Sequence, residues 1–336
     1  MSKVAVLGAG SWGTALSVVL ADNNHEVRLW SHRKEQVDRI NLERKNSQYL
    51  NVDLPSNIIC YENIEEAVAL VDAILIVVPS SAIREISNLI NPLINKETLI
   101  IHATKGIEPE TSKRISEMLE EELTQINSDD IVVLSGPSHA EEVGLRMPTT
   151  VTVASKNVNK AEEAQHLFFN EAFRVYTSDD IVGVELGGAL KNIIALGAGI
   201  SDGLNFGDNA KAALITRGLA EITRLGVSLG ANPLSFLGLS GVGDLIVTST
   251  SKHSRNWRAG NLIGKGKSLE KVLSEMGMVV EGVRTTEAAY KFSLQQNVDM
   301  PITSGLYDIL YNKANPKNIV EQLMSRDRKD ELDSYK

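Results

Sequence analysis

The chain has 336 residues, of which 43% are hydrophobic and 23% are charged, and its formal net charge is −9. This length and composition predict a globular protein of two domains, and the acidic balance argues against general nucleic-acid binding, which needs a basic face. The single cysteine, Cys60, excludes an internal disulfide and any cysteine-based metal site. No apolar run reaches the ~18 residues that span a bilayer, so we expect a cytoplasmic protein without a membrane span.

Residues 1–178 alternate strand-like and helical segments. The runs that we interpret as strands are Val4–Leu7, Val27–Trp30, Ile58–Cys60, Ala73–Val78, Thr98–Ile101, Ile131–Leu134, Thr150–Val153 and Arg174–Tyr176. The first six are mostly apolar on both faces, as expected in a covered parallel sheet. This alternation predicts a doubly wound α/β domain. From about Asp179 helical patterns dominate, so residues 179–336 are predicted to form a second, mainly helical domain.

A glycine-rich loop follows the first predicted strand and opens a helix. The segment Gly8–Gly13 reads GAGSWG, which has the G-x-G-x-x-G spacing of a dinucleotide-binding loop. Gly8 permits a tight turn, Gly10 lets the backbone approach a pyrophosphate, and Gly13 lets the helix pack closely on the strand. The free N–H groups and the positive end of the helix dipole favour phosphate. This context predicts a dinucleotide cofactor.

The end of the second strand distinguishes NAD from NADP. An acidic residue about 20 positions past the loop would hold the ribose 2′-OH of NAD. The residues here are Ser31, His32 and Arg33, without an acid. A guanidinium can bind the 2′-phosphate that a carboxylate would repel. We therefore expect Arg33 to admit NADP beside NAD.

Lys191 is the main candidate for proton transfer. The residues one helical turn away from it are Gly187, Gly188, Ile194 and Ala195. None is a carboxylate, so we expect Lys191 to face a groove in which desolvation lowers its pKa and suits it to acid–base catalysis. The alternative is a lysine that extends to solvent from the edge of a core helix. His102 and His139, near strand ends, are weaker candidates.

Other segments could bind the rest of a substrate. Asp244 stands among small residues, and Ser254 is the predicted N-cap of a helix. The free N–H groups of that helix, together with Arg255, would form a phosphate clamp. The loops Ala103–Gly106 and Ser135–Ala140 follow the fifth and sixth strands, and ligands of such sheets bind at the carboxyl ends of strands.

Seven segments spread in order over nearly the whole chain share one pattern. They are GAGSWGTAL from Gly8, ATKG from Ala103, SGPSHAEEV from Ser135, ELGGALKNIIALGAG from Glu185, GVGDLIVT from Gly241, SRNWRAG from Ser254 and VVEGVRTT from Val279. Together they resemble the bacterial NAD(P)-dependent glycerol-3-phosphate dehydrogenase family. The resemblance implies a Rossmann-like N-terminal domain, a helical substrate domain and no metal. The implied reaction is reversible hydride transfer between NAD(P)H and dihydroxyacetone phosphate, which supplies glycerol 3-phosphate for phospholipid synthesis.

The resemblance also implies roles for individual residues. Beside the loop glycines Gly8, Gly10 and Gly13, the residues expected to contact the dinucleotide are Ser11, Trp12, His32, Arg33, Lys105, Ala140, Arg255, Val279 and Glu281. The residues expected to contact the substrate are Lys105, Gly136, Ser138, Lys191, Asn192, Asp244, Ser254, Arg255 and Asn256. Lys191 would donate or accept the proton, and Asp244 would orient Lys191 or a substrate hydroxyl.

Two other functions share part of this pattern. A ketopantoate or β-hydroxyacid reductase would have the glycine loop and a helix lysine, but it would bind a carboxylate and has no need of the Ser254–Asn256 segment. A non-catalytic NADP sensor would keep the loop and have no use for Lys191. We expect a small-molecule substrate and no nucleic-acid partner. The sequence leaves the oligomeric state open, and a homodimer is one possible form.

Overall fold

The computed structural model describes residues 1–277, 279–328 and 330–331. The chain forms two compact units: residues 1–104 with 115–181, and residues 105–114 with the chain from 182 onward. Residues 105–114 fall within the predicted dinucleotide-binding domain, whereas the structure packs them with the helical unit. The limits 1–178 and 179–336 stay a prediction as boundaries of functional domains, and residues 332–336 lie outside the described part of the chain.

The first unit contains an eight-stranded sheet. The strands of the chain are β1 Lys3–Leu7, β2 Glu26–Trp30, β3 Lys45–Asn46, β4 Leu50–Asp53, β5 Ile58–Tyr61, β6 Ala73–Ile76, β7 Leu99–His102, β8 Val132–Ser135, β9 Thr149–Ala154 and β10 Phe173–Ser178. The sheet order is β10-β9-β8-β7-β6-β1-β2-β5. All neighbouring strands are parallel except β8 and β9. The eight predicted strands all lie in this sheet, while the antiparallel hairpin β3–β4 was not predicted.

Helices accompany the sheet in the first unit. They are α1 Ser11–Asp22, α2 Lys34–Glu43, α3 Ile64–Val68, α4 Ile83–Ile90, α5 Ile115–Glu122, α6 Ala140–Gly144 and α7 Val158–Phe168. The apolar residues of β1 are fully buried, which confirms a covered, doubly wound sheet. The strand order reverses at β1, so the glycine loop after β1 lies at the switch point where ligands of such sheets bind. Cys60 is buried in β5, and this burial raises the pKa of its thiol to about 12.

The second unit is helical. Its helices are α8 Ile181–Gly203, α9 Asp208–Ser228, α10 Asp244–Thr250, α11 Arg255–Gly264, α12 Leu269–Met276, α13 Glu281–Gln295, α14 Pro301–Tyr311 and α15 Pro316–Met324. Among the described residues, α8 alone is long and apolar enough to cross a membrane, with a mean hydropathy of 1.5. However, 94% of that apolar stretch is buried inside the protein, as in the central helix of a globular core.

Helices α8 and α11 pack against each other through glycines. Gly199 and Gly203 lie one turn apart on α8, and Gly260 and Gly264 lie one turn apart on α11. A methyl group on any of the four would overlap the backbone of the other helix. The two backbones are therefore in direct contact, and the start of α11 is held at a fixed position along α8.

Candidate active site

The glycine loop of the first unit has one open side. Gly8 has a φ of +120°, and a Cβ there would lie 2.6 Å from the carbonyl oxygen of Val77. A Cβ on Gly13 would overlap the carbonyl oxygen of Gly8, so these two glycines are required by the turn and by the packing of α1. A Cβ on Gly10 would meet no described atom within 4 Å. Gly10 therefore leaves space at the helix N-terminus, in keeping with the predicted approach of a pyrophosphate.

Donor groups at this helix N-terminus suit a dinucleotide. Gly10 is the N-cap of α1, and in the described part of the chain no side chain caps the first turn. The indole Nε1 of Trp12 is buried, and it has no acceptor among the described residues. Uncapped N–H groups at a helix N-terminus bind phosphate readily. The residues present thus fit the pyrophosphate of NAD or NADP.

A buried polar network holds the loop in place. Gln36 donates through Nε2 to the carbonyl oxygen of Ala9 at 2.7 Å and accepts from the Ser31 hydroxyl at 2.8 Å. Asn46 donates to the same Ala9 carbonyl at 2.9 Å and to the Thr14 hydroxyl at 2.8 Å. Gln36 and Asn46 were not predicted, because nothing in the local sequence shows that these polar residues are buried. They bring α2 and the β3–β4 hairpin against the cofactor loop.

Tyr49 connects the loop to the predicted 2′-phosphate site. The Ser11 hydroxyl donates to the backbone carbonyl of Tyr49 at 2.8 Å, and Arg33 donates through Nη1 to the Tyr49 hydroxyl at 2.9 Å. His32 and Arg33 are both exposed, as a site open to a cofactor requires. Tyr49 is a further residue that the sequence analysis missed, since it lies in the unpredicted hairpin.

Arg33→Ala is expected to raise the KM for NADPH about tenfold or more and to change the KM for NADH little, because only NADPH carries the phosphate that the guanidinium would bind. Tyr49→Phe should raise the KM for NADPH relative to that for NADH by a smaller factor, since it removes only the hydroxyl that holds Arg33. Steady-state kinetics with both cofactors measure the effect, and Lys34→Ala controls for the loss of a neighbouring exposed cation. An equal rise in the KM for both cofactors would show that Arg33 does not bind the 2′-phosphate.

The loop after β8 is shaped by its own hydrogen bonds. Gly136 has a φ of +150°, and a Cβ there would lie 2.9 Å from the backbone of β9. The Ser138 hydroxyl donates to the Gly136 carbonyl at 2.9 Å, and Ala140 begins the short helix α6 with His139 as its N-cap. His102 is fully buried at the end of β7, which argues against contact with a ligand. The ligand contacts of Gly136, Ser138 and Ala140 stay predictions.

Two lysines share one buried carboxylate in the second unit. Lys191 is 6% exposed and Asp244 is 1% exposed. Lys191 Nζ donates to Asp244 Oδ1 and, at 2.8 Å, to the Thr248 hydroxyl. Lys105 Nζ lies 2.7 Å from Asp244 Oδ2. The structure thus brings together three predicted site residues and adds Thr248, one helical turn after Asp244, which the sequence analysis did not name.

The path of the chain explains how Asp244 reaches Lys191. A Cβ on Gly187 would lie 2.6 Å from the carbonyl oxygen of Ser240, so this glycine admits the turn Leu239–Gly243 against α8. Helix α10 begins directly after that turn, at Asp244. The groove expected beside Gly187 is therefore filled by backbone. No carboxylate lies one turn from Lys191 on α8, and its carboxylate partner, Asp244, comes from a different helix.

Burial and the neighbouring charges set the protonation of this cluster. Burial lowers the pKa of Lys191 to about 7, with Lys105 acting in the same direction and Asp244 opposing both. Burial alone would raise the pKa of Asp244, but the two lysines outweigh it and hold that pKa below its usual range. At neutral pH Asp244 is therefore charged and Lys191 exchanges readily between its two forms, as acid–base catalysis requires.

Asn256 links three helices beside this cluster. Its Nδ2 donates to Asn192 Oδ1 at 2.9 Å, and its Oδ1 accepts from the backbone N–H of Gly282 at 2.8 Å. Asn192 follows Lys191 in the chain, and Gly282 follows Glu281. Lys191, the predicted proton donor, and Glu281, a predicted cofactor contact, are therefore each adjacent in the chain to a residue of this network. The side-chain amide of Asn256 thus hydrogen-bonds within the protein through both its nitrogen and its oxygen. Its contact with substrate stays a prediction.

The start of α11 presents an exposed cation. Ser254 is the N-cap and accepts from the backbone N–H of Trp257 at 3.2 Å, which confirms the predicted helix start. Arg255, the first residue of α11, is exposed and forms no ion pair with any residue that the structure describes. Val279 is 43% exposed. Arg255 and Val279 are accessible to a ligand, whereas Ser254 is buried. The ligand contacts of all three stay predictions.

Comparison with known proteins agrees with this arrangement. Residues 3–161 match the N-terminal model, and residues 180–321 the C-terminal model, of NAD-dependent glycerol-3-phosphate dehydrogenase. The chain is 69% identical over 333 residues to the glycerol-3-phosphate dehydrogenase (NAD(P)+) of Oceanobacillus iheyensis, covering 99% of this chain and 96% of that one.

Solved structures extend the comparison. The crystal structure of glycerol-3-phosphate dehydrogenase from Coxiella burnetii has a TM-score of 0.92 and 40% identity, over 97% of this chain and 99% of that one. A ketopantoate reductase from Ralstonia eutropha, with a TM-score of 0.60 and 17% identity over 96% of this chain and 99% of that one, shares the fold alone. The chain therefore belongs to the NAD-dependent glycerol-3-phosphate dehydrogenase family.

Proposed function

We propose that this protein is an NAD(P)-dependent glycerol-3-phosphate dehydrogenase that interconverts dihydroxyacetone phosphate and sn-glycerol 3-phosphate. The observation that carries the proposal is the buried cluster of Lys191, Asp244 and Lys105, in a chain whose glycine loop fits a dinucleotide. A sensor that only binds NADP has no use for two lysines paired with one buried carboxylate. The family match supports the same reaction.

The cluster supplies acid–base and electrostatic catalysis. When bound, NAD(P)H would supply the hydride for the ketone carbon, so that the electron pair of the C=O double bond would move to oxygen. Lys191 donates its proton to that oxygen, and in the reverse direction neutral Lys191 accepts the proton of the substrate hydroxyl. Asp244 and Thr248 hold Lys191 Nζ in one orientation. With two cations and one anion the cluster is net positive, which stabilises the negative charge that develops on oxygen.

Arg255→Ala is expected to lower kcat/KM for dihydroxyacetone phosphate about 10–100-fold, because a charge-assisted hydrogen bond to phosphate contributes roughly 1.5–3 kcal/mol. Turnover of unphosphorylated dihydroxyacetone, which is poor already, should stay almost unchanged. Steady-state assays with the two substrates measure the difference, and Arg258→Ala, three residues further along the same helix and also exposed, is the matched control. An equal loss on both substrates would assign Arg255 to the fold or to the cofactor.

The cellular setting is part of the proposal. We infer a cytoplasmic enzyme without a membrane span that supplies glycerol 3-phosphate for phospholipid synthesis. The burial of α8 supports the absence of a membrane span. We infer a homodimer as the assembly, since the exposed side chains of Leu234 and Leu237 on the second unit would gain from being covered. Light scattering after size-exclusion chromatography measures the assembly.

The experiment that tests the function is a direct comparison of substrates. Oxidation of NADPH and NADH is followed with dihydroxyacetone phosphate and with ketopantoate under the same conditions. We expect turnover with dihydroxyacetone phosphate only. Turnover of ketopantoate would support a carboxylate-binding reductase, and no turnover of either substrate would support a non-catalytic sensor.

A further inference from the structure

The segment that carries Lys105 is a short closed loop of residues 105–114, here called the 105–114 loop. Ile107 is 2% exposed and belongs to the apolar core of the helical unit. Ile107 and Arg114 face each other in an isolated antiparallel bridge. Within the loop the Glu108 N–H donates to the Lys113 carbonyl at 2.9 Å. The position of Lys105, two residues before Ile107, is therefore tied to that of Arg114.

A buried ion pair attaches the end of this loop to α8. Arg114 Nη1 lies 2.5 Å from Glu185 Oε2, and the two side chains are 14% and 4% exposed. Glu185 precedes Lys191 by six positions on α8, which corresponds to about 9 Å along the helix. Burying a carboxylate is costly unless it is paired or hydrogen-bonded, and Arg114 supplies a cation for Glu185. The positions of Lys105 and Lys191 are thus both fixed relative to α8. Lys191 lies on this helix, and the loop that carries Lys105 is attached to it through Arg114.

We infer that the Arg114–Glu185 pair is a positioning device for proton transfer, which holds the 105–114 loop so that Lys105 reaches Asp244. This inference rests on the proposed function. Buried ion pairs contribute little net stability compared with apolar residues of the same size, and for this pair we assign a role in fixing the geometry of the loop. Arg114 and Glu185 are positioning residues, since they act on the reaction through Lys105.

Loosening the loop has a defined electrostatic consequence. The charged groups that act on Lys191 in the described chain are Asp244 of α10 and Lys105 of the loop. If Lys105 moves away, Asp244 is paired with Lys191 alone, and the repulsion between the two ammonium groups is lost. Both changes raise the pKa of Lys191. The pH at which Lys191 changes between donor and acceptor then moves upward.

The test is the pH profile of two variants. Glu185→Gln removes one charge of the pair, and Arg114→Met combined with Glu185→Leu removes both. In each we expect glycerol 3-phosphate oxidation at and below neutral pH to fall about tenfold and to recover at higher pH, because fewer Lys191 side chains are neutral. The KM for dihydroxyacetone phosphate should rise at the same time, since Lys105 is a predicted substrate contact.

Glu221→Gln is the matched control. Glu221 is also a carboxylate of the helical unit that is almost fully buried, at 2% exposed, and it accepts from the backbone N–H groups of Ile302 and Thr303. Its replacement should lower the melting temperature without moving the pH profile. Circular dichroism confirms that each variant is folded before its profile is measured.

The outcomes separate the alternatives. Folded Glu185→Gln and double variants with the native pH profile would overturn the inference and make the pair structural only. A shift in Glu185→Gln that is absent from the double variant would also overturn it, because the unpaired Arg114 would then be the cause. Absence of turnover of dihydroxyacetone phosphate by the native enzyme would instead contradict the proposed function itself.

Discussion

Lys191→Ala is expected to lower kcat for dihydroxyacetone phosphate reduction by about 10²–10⁴-fold, which is the usual contribution of a general acid. The KM for NADPH should stay near its native value, because Lys191 is not among the residues expected to contact the dinucleotide. Lys191→Arg should not restore the rate, since a guanidinium does not give up its proton in this pH range. Single-turnover measurement of NADPH oxidation reports the hydride-transfer step directly.

The pH dependence of the native enzyme follows from the same residue. Reduction needs protonated Lys191, and oxidation needs neutral Lys191. Because the pKa of Lys191 is lowered to about 7, reduction should slow as the pH rises through about 7, and oxidation should accelerate over the same range. Both dependences should disappear in Lys191→Ala.

Lys105 provides the comparison for this assignment. It is a predicted contact of both cofactor and substrate, so Lys105→Ala should raise KM as well as lower kcat. A Lys191→Ala enzyme with an unchanged hydride-transfer rate would contradict the assignment. It would move the role of proton donor to Lys105 or His139.

Asp244→Asn is expected to lower both stability and activity. Removing one partner of a buried ion pair leaves an uncompensated charge and costs about 3–5 kcal/mol of the free energy of unfolding. Lys191 can avoid this cost by losing its proton, so its pKa should fall below the native value of about 7. Reduction at pH 7 should therefore be slow, and the rise of the oxidation rate should move to lower pH. Urea unfolding and pH profiles measure the two effects.

The stability deficit of Asp244→Asn has a predicted pH dependence. Below about pH 7 native Lys191 keeps its proton and its partner, whereas the variant must bury the charge or release the proton. Above that pH both proteins contain neutral Lys191, so the deficit should shrink as the pH rises. Asp53→Asn, which removes a surface ion pair with Lys45, should stay within about 0.5 kcal/mol of native at every pH. A deficit that is constant with pH would contradict a charge on Lys191.

The sheet was predictable because its strands are continuous apolar runs buried on both faces. The β3–β4 hairpin was not, since β3 has only two residues and the segment Lys45–Asp53 is mostly polar. Its position depends on Asn46, which hydrogen-bonds to Ala9 and Thr14 of the cofactor loop. Such a segment is ordered by contacts with residues that are distant in the sequence, and its own residues give little indication of a strand.

The candidate site was predictable where a residue stands out among its neighbours. Lys191 among glycines and Asp244 among small residues are examples. The contact between Lys105 and Asp244 joins residues 139 positions apart, and the one between Arg114 and Glu185 joins residues 71 positions apart. Neither pair has a local signal, because the pairing arises only when the 105–114 loop packs with the helical unit.

The glycine contact between α8 and α11 has a consequence for substrate size. With no side chains between the two backbones, α11 can neither slide nor move away by adopting other rotamers. If Arg255 binds the phosphate, the backbone positions of Arg255 and Lys191 are a fixed distance apart, and this distance limits the length of the substrate between its ketone and its phosphate. A ketone phosphate with one additional carbon between these groups would place only one of them correctly. The spacing of the two helix backbones would then set the selectivity for chain length. Replacing side chains around the ligand with smaller ones would not change that selectivity.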